Sequence, residues 1–154
     1  QTCALPILNY IKLEDYPVLA KMSRIQAAAP DSFGIFGGLG GVYFLEELQR
    51  GSRGIMTGFA FPEVLKAVYD AFRSGDQKRA AALFDRYVPL IRYEFQPKIG
   101  LAYRKYVYHR RGIIDSTFIR PPGLQLDDYT RAELTAVIER VGFDLDAEGV
   151  QPVG

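Results

Sequence analysis

One cysteine, one histidine and no tryptophan stand among the 154 residues. A single thiol excludes a disulfide framework and a thiolate metal site, and one imidazole leaves no histidine cluster for a metal centre. An excess of charge of one sign is missing as well. Nineteen Lys and Arg against 18 Asp and Glu give a formal net charge of +1, so no global field favours nucleic acid or an anionic membrane. No run approaches the ~20 apolar residues that span a bilayer, and a cytoplasmic protein is the expectation. What is present is ordinary globular composition, 48% hydrophobic and 24% charged, enough for one domain with a real core.

Residues 1–7, "QTCALPI", read as one frame of a common sequencing-library adapter, and they include Cys3. They are set aside from fold reasoning, and the rest is expected to be the later part of a longer protein.

From residue 8 the chain repeats one unit three times. "NYIK" reads as a strand, and Pro17 then opens a helix with Val18, Leu19, Met22 and Ile25 on one face, stopped by Pro30. "FGIFGG" (33–38) is a second strand, followed by a helix bearing Val42, Leu45 and Leu48 and closed by Gly51. "RGIMTG" (53–58) is a third, and Pro62 starts a helix with Val64, Leu65, Val68 and Phe72 as its apolar stripe, ending at Gly75. Strand ends near Lys12, Gly37 and Thr57 recur every twenty-odd residues, the period of βα units whose crossover helices make neighbouring strands parallel.

Beyond Gly75 the pattern predicts helices alone. Asp76 caps one that carries Ala80, Leu83, Phe84, Tyr87 and Ile91, with a kink expected at Pro89. A second runs over 99–111 and is closed by Gly112; a third starts at Thr130 with Glu133 as capping-box partner and buries Leu134, Val137, Ile138 and Val141. "RPPG" (120–123) connects them, and 144–154 reads as a loose tail. Three parallel strands cannot cover both faces and both edges of their sheet, so this pattern is most simply the end of something larger.

Lys12 falls at the carboxyl end of the first strand, where parallel α/β folds place their ligands. A lysine amine attacks a ketone to form a Schiff base once its neutral form is favoured; the plain alternative is a surface lysine at a strand exit. Glycines 37, 38, 40 and 41 precede a helix, so backbone amides there can meet an anion. Their G-G-x-G-G spacing is neither dinucleotide fingerprint nor P-loop, and a tight turn explains it as well. Thr57 can aim a hydroxyl at the same mouth, whereas Met56 suggests core packing. "YRKYVYHRRG" (103–112) mixes cations and tyrosines in a way that suits single-stranded nucleic acid, but cations near a helix C-terminus favour a solvated face. Glu46, Glu47, Glu94 and His109 show no metal-ligand spacing, and His109 reads as structural.

Together "YIKLED", "FGGLGGVYFLEELQRGSRGIMTGFAFPEVL" and "YVPLIRYEFQPKIGLAYRKYVYHRRGII" resemble the dihydrodipicolinate synthase family, also called the N-acetylneuraminate lyase superfamily, over residues 9 to about 143. The resemblance implies the C-terminal portion of a (β/α)8 TIM barrel: an α/β fold with about three βα units over 8–75, then a C-terminal helical extension over 76–143. It places Lys12 on the family's Schiff-base lysine, and Gly38 and Met56 near backbone positions lining the pyruvate pocket. The paired threonines that grip the 2-oxo acid carboxylate, and the tyrosine that relays protons, belong to earlier strands and have no counterpart here.

The implied function is a class I lyase acting on pyruvate or a related 2-oxo acid. It needs no metal and no organic cofactor, and engages neither nucleic acid nor membrane. The full-length protein is expected to be a homo-oligomer, dimer or tetramer, and the 154 residues alone to be inactive. A non-catalytic ligand-binding or regulatory barrel and a small nucleotide-binding α/β domain are the alternatives.

Overall fold

The computed structural model describes residues 9–143 and Leu145, so the seven residues set aside above and the rest of the tail lie outside the described residues. The elements alternate as the period predicts. Strand β1 (Tyr10–Lys12) leads to helix α1 (Val18–Ala28), and β2 (Gly34–Gly37) leads through a single 3₁₀ turn, Leu39–Gly41, to α2 (Phe44–Gln49). Strand β3 (Gly54–Ile55) then leads to α3 (Pro62–Arg73), and three helices follow: α4 (Gln77–Glu94), α5 (Gly100–Arg110) and α6 (Asp128–Arg140).

The strands form one parallel sheet in the order β1-β2-β3, with Lys12 opposite Phe36 and Gly37 opposite Ile55. Among the described residues both outer strands keep one free edge. That explains why β3 is two residues long where the sequence predicts six. Arg53 donates its amide to Ile35 and Met56 to Gly37, but β2 stops at Gly37 and nothing pairs with the other side.

Helix punctuation follows local chemistry. Gly51, Gly75 and Gly112 follow α2, α3 and α5 with φ of +88°, +88° and +67°, the left-handed conformation that ends a helix at low cost for glycine. Pro62 occupies the first turn of α3, with Glu63 at its positive end and Arg73 at its negative end. Asp76 caps α4 by accepting the Arg79 amide at 3.0 Å. The helix runs unbroken through Pro89 for 18 residues. At α6 the expected capping box is absent. Asp127 is the cap and accepts the Thr130 amide at 2.7 Å, while Glu133 instead receives the hydroxyl of Tyr93 from α4. A cap from outside the helix plus a tertiary partner outcompete the local box.

Two cores result. A small one, Leu13, Val18, Met22, Ile35 and Leu39, seals α1 against the sheet. The large one begins at Phe44 in α2 and runs through α3 to α6, crossing the expected division at 75/76. Phe143 stacks on Phe61 with ring centroids 4.8 Å apart and lies 4.9 Å from Tyr87, so the last described turn closes over the start of α3 and the middle of α4. No described helix is long and apolar enough to cross a membrane.

Candidate functional site

Period-2 alternation sorts the sheet residues. Ile11 and Ile35 lie toward the helices, whereas Tyr10, Lys12 and Phe36 share the opposite face, where Tyr10 and Phe36 rings sit 5.4 Å apart. Lys12 thus ends β1 on the open face, its side chain 39% exposed. Its Nζ lies 3.1 Å from Glu14 Oε2.

Glu14 joins the lysine to the glycine turn. Its Oε1 accepts the Leu39 amide at 3.1 Å, and its side chain lies so close to Gly38 that any Cβ there would collide with it. Partial burial works to raise the Glu14 pKa, but the Leu39 amide and Lys12 outweigh it and hold the carboxyl below its ordinary value. The anion that the turn binds is therefore a carboxylate of the chain itself. Gly38 has φ of −155°, so close approach rather than a left-handed backbone requires glycine there. Left-handed angles fall on Gly40, at +69°, and on Leu39, at +50°. Phosphate binding is further opposed by Glu46 and Glu47 in the first turn of the six-residue α2.

Glu47 lies in the first turn of α2. It is fully buried, neither carboxylate oxygen has a hydrogen-bond partner, and it presses on Gly37 so tightly that a Cβ would overlap Oε2. Burial pushes its pKa up to about 7; the Gly38 amide opposes this from beyond good hydrogen-bond geometry, and the charges of Glu46 and Glu14 add to the rise. A signal was present in the sequence: Glu47 falls between Leu45 and Leu48 and three residues after Phe44, on the apolar side of α2.

Met56 and Thr57 differ from expectation. Met56 is 47% exposed rather than packed in the core, and its amide donates to the Gly37 carbonyl at 3.0 Å, tying it to the mouth through backbone. Thr57 lies past the strand, and its hydroxyl turns back to accept the Phe59 amide at 3.2 Å. It lines an open groove of about 330 Å³ between β3 and α3, together with Phe36, Ile55 and Leu65. The structure brings Lys12, Glu14, Gly38 and the Met56 backbone to one end of the sheet and leaves Thr57 beside it.

The segment 103–112 fits neither a nucleic-acid face nor a fully solvated one. Arg104 donates through Nε to buried Glu94 at 2.8 Å, and Arg111 donates through Nη1 to the Ala60 carbonyl at 2.6 Å and pairs with Glu63 at 2.9 Å. Tyr103 packs on Tyr93 at 5.1 Å. His109 is exposed in the last turn of α5 rather than structural. No cluster of three or more His, Cys, Asp or Glu suited to a metal occurs among the described residues.

Comparison with known proteins gives one answer. The model of the Dihydrodipicolinate synthetase family matches residues 15–141, a span that starts just after Lys12 and Glu14. L-2-keto-3-deoxyarabonate dehydratase of Azospirillum brasilense is 30% identical over 133 residues, covering 86% of this chain and 43% of that protein. The crystal structure of dihydrodipicolinate synthase from Rhodopseudomonas palustris superimposes with a TM-score of 0.80 at 38% identity, over 85% of this chain and 45% of that one. N-acetylneuraminate lyase of Proteus mirabilis shares the fold at 18% identity and a TM-score of 0.65, over 84% and 44%. The chain spans less than half the length of each of these relatives.

Proposed function

The chain belongs to the dihydrodipicolinate synthetase family, and from that premise we propose that it forms the C-terminal portion of a (β/α)8 barrel lyase whose Schiff-base lysine is Lys12. The observation that carries the proposal is the seat of Lys12: the carboxyl end of a parallel strand, on the open face, with a carboxylate 3.1 Å from its amine. The two free sheet edges and the share of the relatives' length support the barrel reading. Homo-oligomerisation of the full-length protein belongs to the same proposal.

The chemistry follows from the pair. The ammonium proton is lost to solvent as a 2-oxo acid such as pyruvate arrives, and Glu14, 3.1 Å away, holds Nζ at the mouth. The neutral amine attacks the ketone carbon, a C–N bond forms, and the carbonyl π pair moves onto oxygen. That oxygen leaves as water, carrying one hydrogen from Nζ and one supplied by an acid, and leaves an iminium. The cationic nitrogen then accepts the electron pair released when a C–H or C–C bond at the neighbouring carbon breaks. Water returns the lysine. The dehydratase and synthase among the relatives both fit a 2-oxo acid substrate, with C–O loss or C–C bond formation as the later step.

A second reading has one observation in its favour: Nζ of Lys12 is engaged by the carboxylate of Glu14 at 3.1 Å, which suits a non-catalytic binding barrel. Borohydride reduction of the full-length protein with pyruvate separates the two. One reduced adduct at Lys12, abolished by Lys12→Arg because a guanidinium stays protonated, is the expected result. An adduct at Lys21 or Lys66 with Lys12 unmodified overturns the assignment.

A further inference from the structure

We infer that Glu94 is a positioning residue for the mouth, acting through Ala60 to fix the loop that carries Met56 and Thr57. The inference rests on the lyase reading, since only then does the placement of that loop matter to a ligand at Lys12.

After Met56 the loop 57–61 leaves the sheet, and its backbone is held by the helical extension. Ala60 is completely buried. Its amide donates to both carboxylate oxygens of Glu94, at 3.0 and 3.2 Å, and its carbonyl accepts Nη1 of Arg111 at 2.6 Å. One residue is thus gripped at both polar groups by side chains 34 and 51 positions later in the chain. Glu94 is only 2% exposed and is itself fixed by Arg104 Nε. The same guanidinium lies against the loop at Gly58, where a Cβ would stand 2.8 Å from Nη1.

A buried ion pair is a poor device for stability alone, because apolar residues of similar volume serve as well or better. It does impose direction, since a carboxylate that accepts an amide bidentately and a guanidinium together fix both position and angle. Ala60 stands only four positions after Met56, so a shift at the clamp is delivered to the mouth. Misplacement of ~1 Å at a site costs up to about 100-fold in the step it supports.

The test uses the full-length protein, pyruvate with borohydride as the trapping probe, and hydrogen exchange of the 56–61 backbone as a readout independent of chemistry. Glu94→Ala is expected to expose the Ala60 amide to exchange and to raise the pyruvate concentration for half-maximal trapping by about 10- to 100-fold, with the saturating yield at Lys12 retained. Glu94→Gln keeps an acceptor for Ala60 and is expected to restore most of both. Lys66→Ala, an exposed change, leaves both as they were. If Glu94→Ala does not fold, Arg104→Gln takes its place, with the smaller loss expected when the carboxylate is released but still present. Unchanged exchange at Ala60, or lost protection with an unchanged trapping midpoint, overturns the inference. Absence of any adduct in the unmodified protein overturns the lysine reading instead, and exchange then decides the clamp on its own.

Discussion

Among the described residues two glutamates are buried, one in each half, and they are treated in opposite ways. Glu94, at the end of α4, receives the Ala60 amide twice and the Arg104 guanidinium once. Glu47, in α2 beneath the sheet, receives nothing at either oxygen. Both have their pKa pushed up to about 7, burial being the largest cause in each case. Protein dipoles and a cation offset the burial of the first. The second sits against the strand-end glycines with its burial largely uncompensated. The helical half is a finished interior with its polar groups paired. The sheet half keeps its uncompensated charge under the mouth, where Lys12 and Glu14 also lie, and where proteins tolerate local strain for function.

Removing each acid should give results of opposite sign. Glu94→Ala leaves Arg104 and the Ala60 amide without their acceptor, and loss of about 3–5 kcal/mol is expected in urea unfolding. A loss below ~1 kcal/mol would mean that the network contributes only packing. Glu47→Gln should do the reverse at pH 8, raising stability by on the order of 3 kcal/mol, because it removes a charge that the fold does not pair.

The pH dependence sharpens the contrast. A carboxyl whose folded pKa is about 7, against an ordinary 4.5, binds more protons folded than unfolded between those values. Its contribution is therefore complete below pH 4.5 and falls as pH rises toward 7. Unfolding free energy should decline across that window in the unmodified protein, and the decline should be shallower in Glu47→Gln. An equal slope in both would show that Glu47 ionises freely when folded.

Smaller effects are expected at the two glycines. Gly37→Ala drives a methyl into Glu47 and should cost about 1–3 kcal/mol, recovered when Glu47→Ala is added. Gly38→Ala meets the half-exposed Glu14, which can swing away, so a cost of about 1 kcal/mol is expected, together with loss of the Glu14 bond to the Leu39 amide. If the two glycines cost the same, the rigidity assigned to Glu47 is wrong.

The legible parts of this molecule are those set by near neighbours in sequence. Pro17, Pro62, Gly51, Gly75 and Gly112 mark helix starts and stops where the backbone places them, and Lys12 ends its strand as the apolar period requires. The misreadings share a cause in distance along the chain. Glu133 looks like a capping partner until Tyr93, 40 residues away, claims it. Arg104 and Arg111 look like solvent cations until Glu94 and Ala60 are brought beside them by the packing of α5 on α4 and α3. Glu14 gave no local sign of its bond to Leu39, 25 residues on. Single polar letters carry little information about partners that only tertiary packing supplies.

The large core begins at Phe44 and does not pause at Gly75. In a chimera, the natural-looking cut after α3 would sever Phe61 from Phe143 and Ala60 from Glu94, and both halves would carry torn interiors. A splice between Leu39 and Phe44 leaves the large core whole and cuts the β2–β3 pairing and the contacts that Val42 and Phe95 make with the small core. The portable unit for recombination with another barrel is therefore α2 through α6, with the β3 loop travelling alongside the helices that grip it.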